Sequence, residues 1–166
     1  MRGTAFTLGL CVALGFGMVG CNDATKDMEV FEAVLSGQSE VPVRATAAVG
    51  RVQLISDGTT IHYSVEIDDI NNVTQGHIHL ERAGANGPVR VWLYPSVTSR
   101  AQGPPTSVSD KRVFAEGTIT QSDILAGVTM AQFLDALRNG GAYANFHTTQ
   151  FPGGEVRGQL QPVHVD

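Results

Sequence analysis

Short stretches of alternating apolar and polar residues follow one another along most of this 166-residue chain, from about residue 28 to residue 161. Because side chains point to opposite faces of a strand with period two, each stretch predicts a half-buried β-strand. Glycine, proline, asparagine and aspartate separate the stretches, as turns do in sheet proteins. We therefore predict an all-β fold, a Greek-key β-sandwich of about seven to nine strands.

The clearest hairpin pattern lies in residues 75–94. His77 and His79 alternate with aliphatic residues, so the two histidines share one face of a strand and the aliphatic side chains pack on the other. Asn86-Gly87 then supplies residues that tolerate positive φ, which predicts a type I′ hairpin turn. A second alternating stretch follows at once and predicts the return strand.

One segment near the end departs from the strand pattern. Thr129 and Gln132 have the spacing of a capping box, and apolar residues then recur at helical spacing. Gly140-Gly141 follows and would end a helix. We expect one short helix near residues 129–139.

A further histidine lies in the alternating stretch that follows the helix. His147 shares a face with Asn145 and precedes a turn at residues 152–154, Pro-Gly-Gly. Glu155 opens the last predicted strand. His147 and Glu155 therefore flank the final turn of the domain.

The first twenty residues have the composition of an export signal. Arg2 precedes a charge-free apolar run, which suits the core of a signal peptide and is short for a membrane span. Residues 18–21, Met-Val-Gly-Cys, resemble the lipobox of bacterial lipoproteins, in which cleavage precedes a cysteine that receives lipid. We expect lipid on Cys21 and anchoring at the bacterial cell envelope, on its periplasmic or extracellular face. The chain would divide into a signal peptide at residues 1–20, a tether at 21–28 and one domain at 29–164.

Charge and cysteine content narrow the range of partners. The chain has 11 basic and 16 acidic residues, a formal charge of −5. No basic cluster is present to follow phosphates, so we expect no nucleic acid partner and membrane contact through lipid alone. Cys11 would leave with the signal and Cys21 would be acylated, so we expect no disulfide in the domain.

Motifs of common enzymes are absent from the sequence. It contains no G-x-S-x-G, no H-E-x-x-H and no phosphate loop with its lysine, and no cysteine remains for nucleophilic attack. Glu81 and Glu155 offer carboxylates for acid and base chemistry, but the sequence gives no distance between them. We expect a binding or structural protein rather than an enzyme.

The histidines are the best candidates for a metal site. His77 and His79 necessarily share a face, and His147 would join them if its strand lies beside theirs. Imidazoles are ligands of copper and zinc. Glu81 and Glu155 could complete the ligand set or accept the second N–H of an imidazole, and we assign that orienting role to Glu155. His62, on the polar face of another strand, is expected to be a solvated surface residue.

Three sequence motifs resemble the CHRD domain family. They are Phe31–Gln38 leading to Glu40-Val-Pro42, His77-Ile-His79 with Gly84–Pro88, and Asn145–Thr148 with Phe151–Gln159. The resemblance covers nearly the whole mature chain, and it departs where the family has two consecutive prolines and this chain has Val41-Pro42. It implies an extracellular β-sandwich module with no established catalytic activity.

A weaker likeness is to copper/zinc superoxide dismutase, whose copper ligands include a His-x-His strand pair and a later strand histidine. The corresponding residues here are His77, His79 and His147. The bridging histidine and the zinc-binding loop of that enzyme have no counterpart. Two hypotheses remain open: a structural or ligand-binding envelope module whose histidines bond their neighbours, and a protein that binds copper or zinc through these histidines.

Overall fold

The computed structural model describes residues 28–98, 103–108, 112–125 and 127–163. The predicted signal peptide, Cys21 and nearly all of the predicted tether lie outside the described residues. Within the described part of the chain, no helix is long and apolar enough to cross a bilayer.

The described residues form one antiparallel sheet of ten strands and one α-helix. The main path of the sheet runs β5-β4-β8-β9-β1-β2-β3-β7, with β10 paired to β1 and β6 to β4. This confirms the all-β fold, and the helix Met130–Arg138 lies within the predicted segment. The strands are β1 Glu29–Ser36, β2 Val49–Ser56, β3 Ile61–Asp68, β4 Ile70–Leu80, β5 Val89–Tyr94, β6 Thr106–Val108, β7 Arg112–Ile119, β8 Ala142–Thr148, β9 Val156–Gln159 and β10 Gln161–Val163.

The strands differ from the prediction in belonging to one nearly closed sheet instead of two separate ones. Tyr94 of β5 contacts Phe114 of β7, with ring centroids 4.6 Å apart, although these strands lie at opposite ends of the sheet path. The hydroxyl of Tyr63 also crosses the interior to donate to the carbonyl oxygen of Leu93, at 3.0 Å. The sheet therefore curls around a single core.

The core follows from the period-two alternation. Every second residue of β1 and β3 is buried, and the corresponding residues of β2 and β5 join them. The helix adds Phe133, Leu134 and Leu137 to the same cluster. Its first turn is closed by the predicted capping box, because the Thr129 hydroxyl accepts from the Gln132 backbone and the Gln132 side chain accepts from the Thr129 backbone.

Strand β8 departs from the half-buried pattern because both of its faces are covered. All seven of its residues are buried. The alanines and Phe146 face the apolar core, whereas the opposite face is covered by the turn after β8 and by the loop between β4 and β5. The Pro152 carbonyl contacts His147, and the Gly87 amide donates to the Tyr143 hydroxyl at 3.2 Å. The protein thus has a second, polar interior behind β8.

The connection between β4 and β5 is not the predicted two-residue turn. The chain reverses at residues 82–85, where the amide of the last residue donates to the carbonyl of the first at 3.3 Å. Gly84 occupies the third position with φ +84°, which a type II turn requires. The predicted turn is wrong because Asn86 has another role: its side-chain oxygen accepts from Arg157 at 3.0 Å and fixes the loop to β9.

Candidate metal centre

Three histidines meet because β4 and β8 are neighbours in the sheet. In the antiparallel register His77 pairs with Asn145, and Gln75 pairs with His147. Paired residues point to the same face, so His147 lies on the face of β4 that carries His77 and His79. The sequence established the pair on β4, and the register adds the third histidine.

The three imidazoles form a compact, buried group, here called the histidine cluster. One ring nitrogen from each histidine lies within 4.8 Å of those of the other two. The closest recorded pair is Nδ1 of His77 and Nε2 of His147, at 3.3 Å. His77 is 3% exposed, and His79 and His147 are each 8% exposed. The cluster is therefore nearly closed to solvent.

Backbone carbonyls determine which nitrogen of two imidazoles is protonated. Nδ1 of His79 lies 2.8 Å from the carbonyl oxygen of Gly87, and Nδ1 of His147 lies 2.9 Å from that of Pro152. A carbonyl only accepts, so both Nδ1 atoms carry the hydrogen. In the neutral rings the Nε2 atoms then carry lone pairs, as a metal ligand requires.

Burial keeps these imidazoles neutral. Desolvation, with the nearness of His147 and His79, lowers the pKa of His77 to about 3. Desolvation lowers the pKa of His79 to about 4, with His147 and Arg157 acting in the same direction. Desolvation also lowers the pKa of His147. At neutral pH the cluster therefore offers unprotonated donors.

The spacing fits a shared ion. Two imidazole nitrogens bound to one copper or zinc ion at about 2.0–2.1 Å lie roughly 3.3–3.6 Å apart for angles of about 109–120°. His77 and His147 already have this spacing, at 3.3 Å. The widest pair of ligand nitrogens, at up to 4.8 Å, would need to close by about 1–1.5 Å.

The two predicted carboxylates do not contact the histidine cluster. Glu81 lies just beyond the end of β4, and its side chain accepts from the Arg82 amide at 2.9 Å. Glu155 is buried, but its oxygens accept from the hydroxyls of Thr46 and Thr148, at 2.6 and 2.7 Å. The orienting role assigned to Glu155 is therefore wrong, because these hydroxyls lie within its reach and backbone carbonyls hold the imidazoles instead.

The carbonyls of Gly87 and Pro152 thus accept the imidazole N–H hydrogen bonds that were expected to go to carboxylates, and no sequence motif indicated this. Gly87 also tolerates no side chain, since a Cβ there would lie 2.2 Å from the carbonyl oxygen of Leu80. Any residue can supply a carbonyl, so backbone ligation of an imidazole has no residue signature. The one available signal was the glycine itself, placed eight residues after His79.

Tyr143 and Arg157 form a stack behind His79. The rings of His79 and Tyr143 are nearly parallel, with centroids 4.7 Å apart. The Arg157 guanidinium carbon lies 3.3 Å from the Tyr143 ring centroid, and the guanidinium donates to Asn86 and to the carbonyls of Arg82 and Ala85. Arg157 is 1% exposed. Through these contacts Arg157 connects the loop between β4 and β5 to Tyr143, which stacks on His79 of the histidine cluster.

Asn145 and Trp92 complete the surroundings of the cluster. The Asn145 side-chain amide lies 3.2 Å from Nε2 of His147. Because Nδ1 of His147 carries the hydrogen, the amide must turn its NH2 group to this nitrogen to form a hydrogen bond. The Trp92 ring stands perpendicular to His77 with centroids 4.2 Å apart. Sequence alternation placed Asn145 on the face of His147 but assigned it no function. Burial raises the pKa of Glu40, which lies near Asn145 and Arg157.

His62 takes no part in the cluster. It lies on the exposed face of β3, where Nδ1 is 3.0 Å from the Thr118 hydroxyl. This agrees with its interpretation as a surface residue.

Comparison with known proteins supports the resemblance of the three motifs. The family model of the CHRD domain matches residues 31–160, which include β1, the histidine strands and β9. Among curated protein sequences, none matches this chain. The match extends over more than half of the chain and over all three histidines of the cluster. The chain therefore belongs to the CHRD domain family.

Proposed function

We propose that this CHRD module is a lipid-anchored, metal-binding protein of the bacterial cell envelope, which holds one copper or zinc ion between His77, His79 and His147. The observation that carries the proposal is Nε2 of His79. It bears a lone pair, is buried, and makes no hydrogen bond of standard geometry among the described residues, although the Asn145 side chain lies near it. A buried acceptor left unpaired costs about 1–3 kcal/mol, and a bound ion would remove that cost.

The ligand atoms follow from the hydrogen bonds. His79 and His147 would bind through Nε2, because Gly87 and Pro152 hold their Nδ1–H groups. His77 would bind through Nδ1, the atom that faces His147. Without an ion, this Nδ1–H can donate to the His147 lone pair, so binding shifts the hydrogen of His77 to Nε2, which is buried and has no hydrogen-bond partner among the described residues.

The second hypothesis is a structural module in which the histidines only bond their neighbours. The 3.3 Å contact between His77 and His147 favours it, because this contact closes one pair without an ion. It leaves Nε2 of His79 unexplained. The two hypotheses differ in behaviour, since a structural cluster is indifferent to chelators and an occupied metal site is stabilised by its ion.

Metal analysis of protein purified without a histidine tag tests the proposal. We expect about one equivalent of copper or zinc per chain after reconstitution, and near-complete loss in the His77→Ala/His79→Ala double variant. His62→Ala is the matched control and should retain the metal. If the double variant binds copper and zinc as tightly as the wild type does, the histidines have a structural role and the metal site is wrong.

The anchor rests on the sequence alone. Replacing Cys21 with Ser should release the protein from membranes, because acylation there is the sole anchor that the sequence offers. Fractionation before and after a salt wash measures this. A Cys21→Ser protein that stays with the membrane after the wash would refute lipid anchoring without affecting the metal proposal.

A further inference from the structure

The histidine cluster brings no negative charge to an ion. Its three donors are neutral imidazoles, and the carboxylates of Glu81 and Glu155 are bonded elsewhere. No carboxylate of the described residues is among the groups that raise the pKa of a cluster histidine. A bound ion would therefore keep its whole charge in a site withdrawn from water, and this is more costly for a divalent ion than for a monovalent one.

Arg157 adds a positive charge behind the cluster. The spacings in its stack with Tyr143 place the guanidinium within about 8 Å of the His79 ring, where a unit charge weakens binding roughly 10- to 30-fold per unit charge of the ion. Arg157 is held by three acceptors, so it cannot swing away without breaking them. Glu40 lies near this charge; burial raises the pKa of its carboxyl, and the positive charge of Arg157 acts against that shift.

The number of nitrogen donors also favours a monovalent ion over a divalent one. Zinc in proteins takes four ligands, and copper(II) prefers four or more in a tetragonal arrangement. Copper(I), a closed-shell ion, is satisfied by three. The histidines are at most 8% exposed, and among the described residues no carboxylate or thiol belongs to their ligand group.

We infer that the histidine cluster selects copper(I) over copper(II) and zinc. This inference rests on the proposed metal-binding function and specifies which ion the site holds. The three neutral nitrogens supply the ligands, and the fixed guanidinium behind Tyr143 discriminates against the second positive charge.

Competition titrations of the full-length, untagged protein test the inference. Copper(I) is presented anaerobically with ascorbate and a chromophoric chelator, and copper(II) and zinc are titrated separately against chelators of known affinity. We expect the dissociation constant for copper(I) to be at least roughly 100-fold below those for both divalent ions. A 100-fold preference over copper(II) would raise the potential of the copper couple by about 120 mV relative to the aqueous ions.

The possible outcomes separate the two claims. Copper(II) or zinc binding as tightly as copper(I) would overturn the selectivity and leave the proposed function standing. Failure of all three ions to bind would overturn both. Tighter copper(I) binding that survives in His62→Ala and is lost in the His77→Ala/His79→Ala variant would support both.

Asn145→Asp tests the charge argument directly. It places a carboxylate close to Nε2 of His147, where the Asn145 side-chain amide lies at 3.2 Å. We expect the zinc and copper(II) affinities to rise by about the square of the factor by which the copper(I) affinity rises, for example roughly 10-fold against 3-fold. Equal gains for all three ions would refute discrimination by charge. A thermal unfolding transition verifies that the variant folds; if it does not, the wild-type affinities alone decide.

Discussion

Acid should destabilise the metal-free protein well above the pH at which its carboxylates titrate. His77 and His79 have pKa values lowered to about 3 and about 4 by burial, whereas an unfolded chain gives both an ordinary value of 6.5. Between these values the unfolded state binds more protons than the folded state, so the free energy of unfolding falls as the pH falls. The contribution is complete above pH 6.5 and is lost progressively down to about pH 4 and below.

The size of the effect follows from the number of protons. Each imidazole that stays neutral in the fold and is charged in the unfolded chain contributes about 1 kcal/mol per pH unit. His77 and His79 together should lower the free energy of unfolding by about 2–4 kcal/mol between pH 7 and pH 5, and His147 adds to this. Domains of this size are stable by about 5–15 kcal/mol, so the loss is readily measured.

Urea denaturation at pH 7, 6 and 5, with a chelator present, measures the free energy of unfolding. His77→Gln removes one buried titrating group and should reduce the pH dependence by about a third to a half. His62→Gln changes an exposed imidazole and should leave it unaltered. Two results would contradict this prediction: a wild-type free energy of unfolding that is the same at pH 7 and pH 5, or an equal reduction of the pH dependence in both variants. Glu29 and Glu32 have lowered pKa values and titrate below this range, whereas the raised pKa of Glu40 acts in the opposite direction to the histidines and reduces the net slope.

Two further predictions concern packing and the backbone. Ile78 is completely buried, so Ile78→Ala should lower the free energy of unfolding by about 2–5 kcal/mol in urea denaturation; a loss below 1 kcal/mol would contradict its place in the core. Gly87→Ala should weaken metal binding by about 10- to 100-fold in chelator competition, because its Cβ would displace the carbonyl that holds His79. Gly84→Asn, in the same loop, meets open space and tolerates positive φ, so it should bind metal as the wild type does.

The position of the histidine pair could be predicted because it depends on local alternation. His77 and His79 are separated by one residue of a strand, and Ile78 between them is buried in the core as expected. The helix was predictable for the same reason, since its capping box lies within four residues of sequence. Such signals need no knowledge of the remainder of the fold.

The third histidine and its supports depend on long-range pairing. His147 reaches the pair only through the register of β4 against β8, across 70 residues of sequence between His77 and His147. Alternation placed His147 on a polar face but could not say which strand lies beside it. The burial of the second face of β8 could not be predicted either, because a loop that covers a strand does not change the alternation of apolar and polar residues in that strand.

The errors arose where a side chain had a tertiary partner. Asn86 is a residue type common in tight turns, yet here its side chain accepts a hydrogen bond from Arg157, and the chain reverses at Gly84 instead. Glu155 was assigned to an imidazole, yet two threonine hydroxyls bind it. Asn86 was interpreted as a turn residue and Glu155 as the partner of an imidazole, and in both cases the actual partner is decided by segments distant in sequence.

The register across four strands also places the histidine cluster at the end of the domain that is distant from Glu29. His77 pairs with Asn145, Asn145 with Arg157, and Arg157 with Ser36, so the cluster lies level with the far end of β1. The eight residues of β1 place that end about 23 Å from Glu29, where the domain begins. A lipid on Cys21 would hold the Glu29 end towards the bilayer. The imidazoles would then lie at the end of the domain away from the headgroups, so an ion could approach that end without crossing the membrane surface.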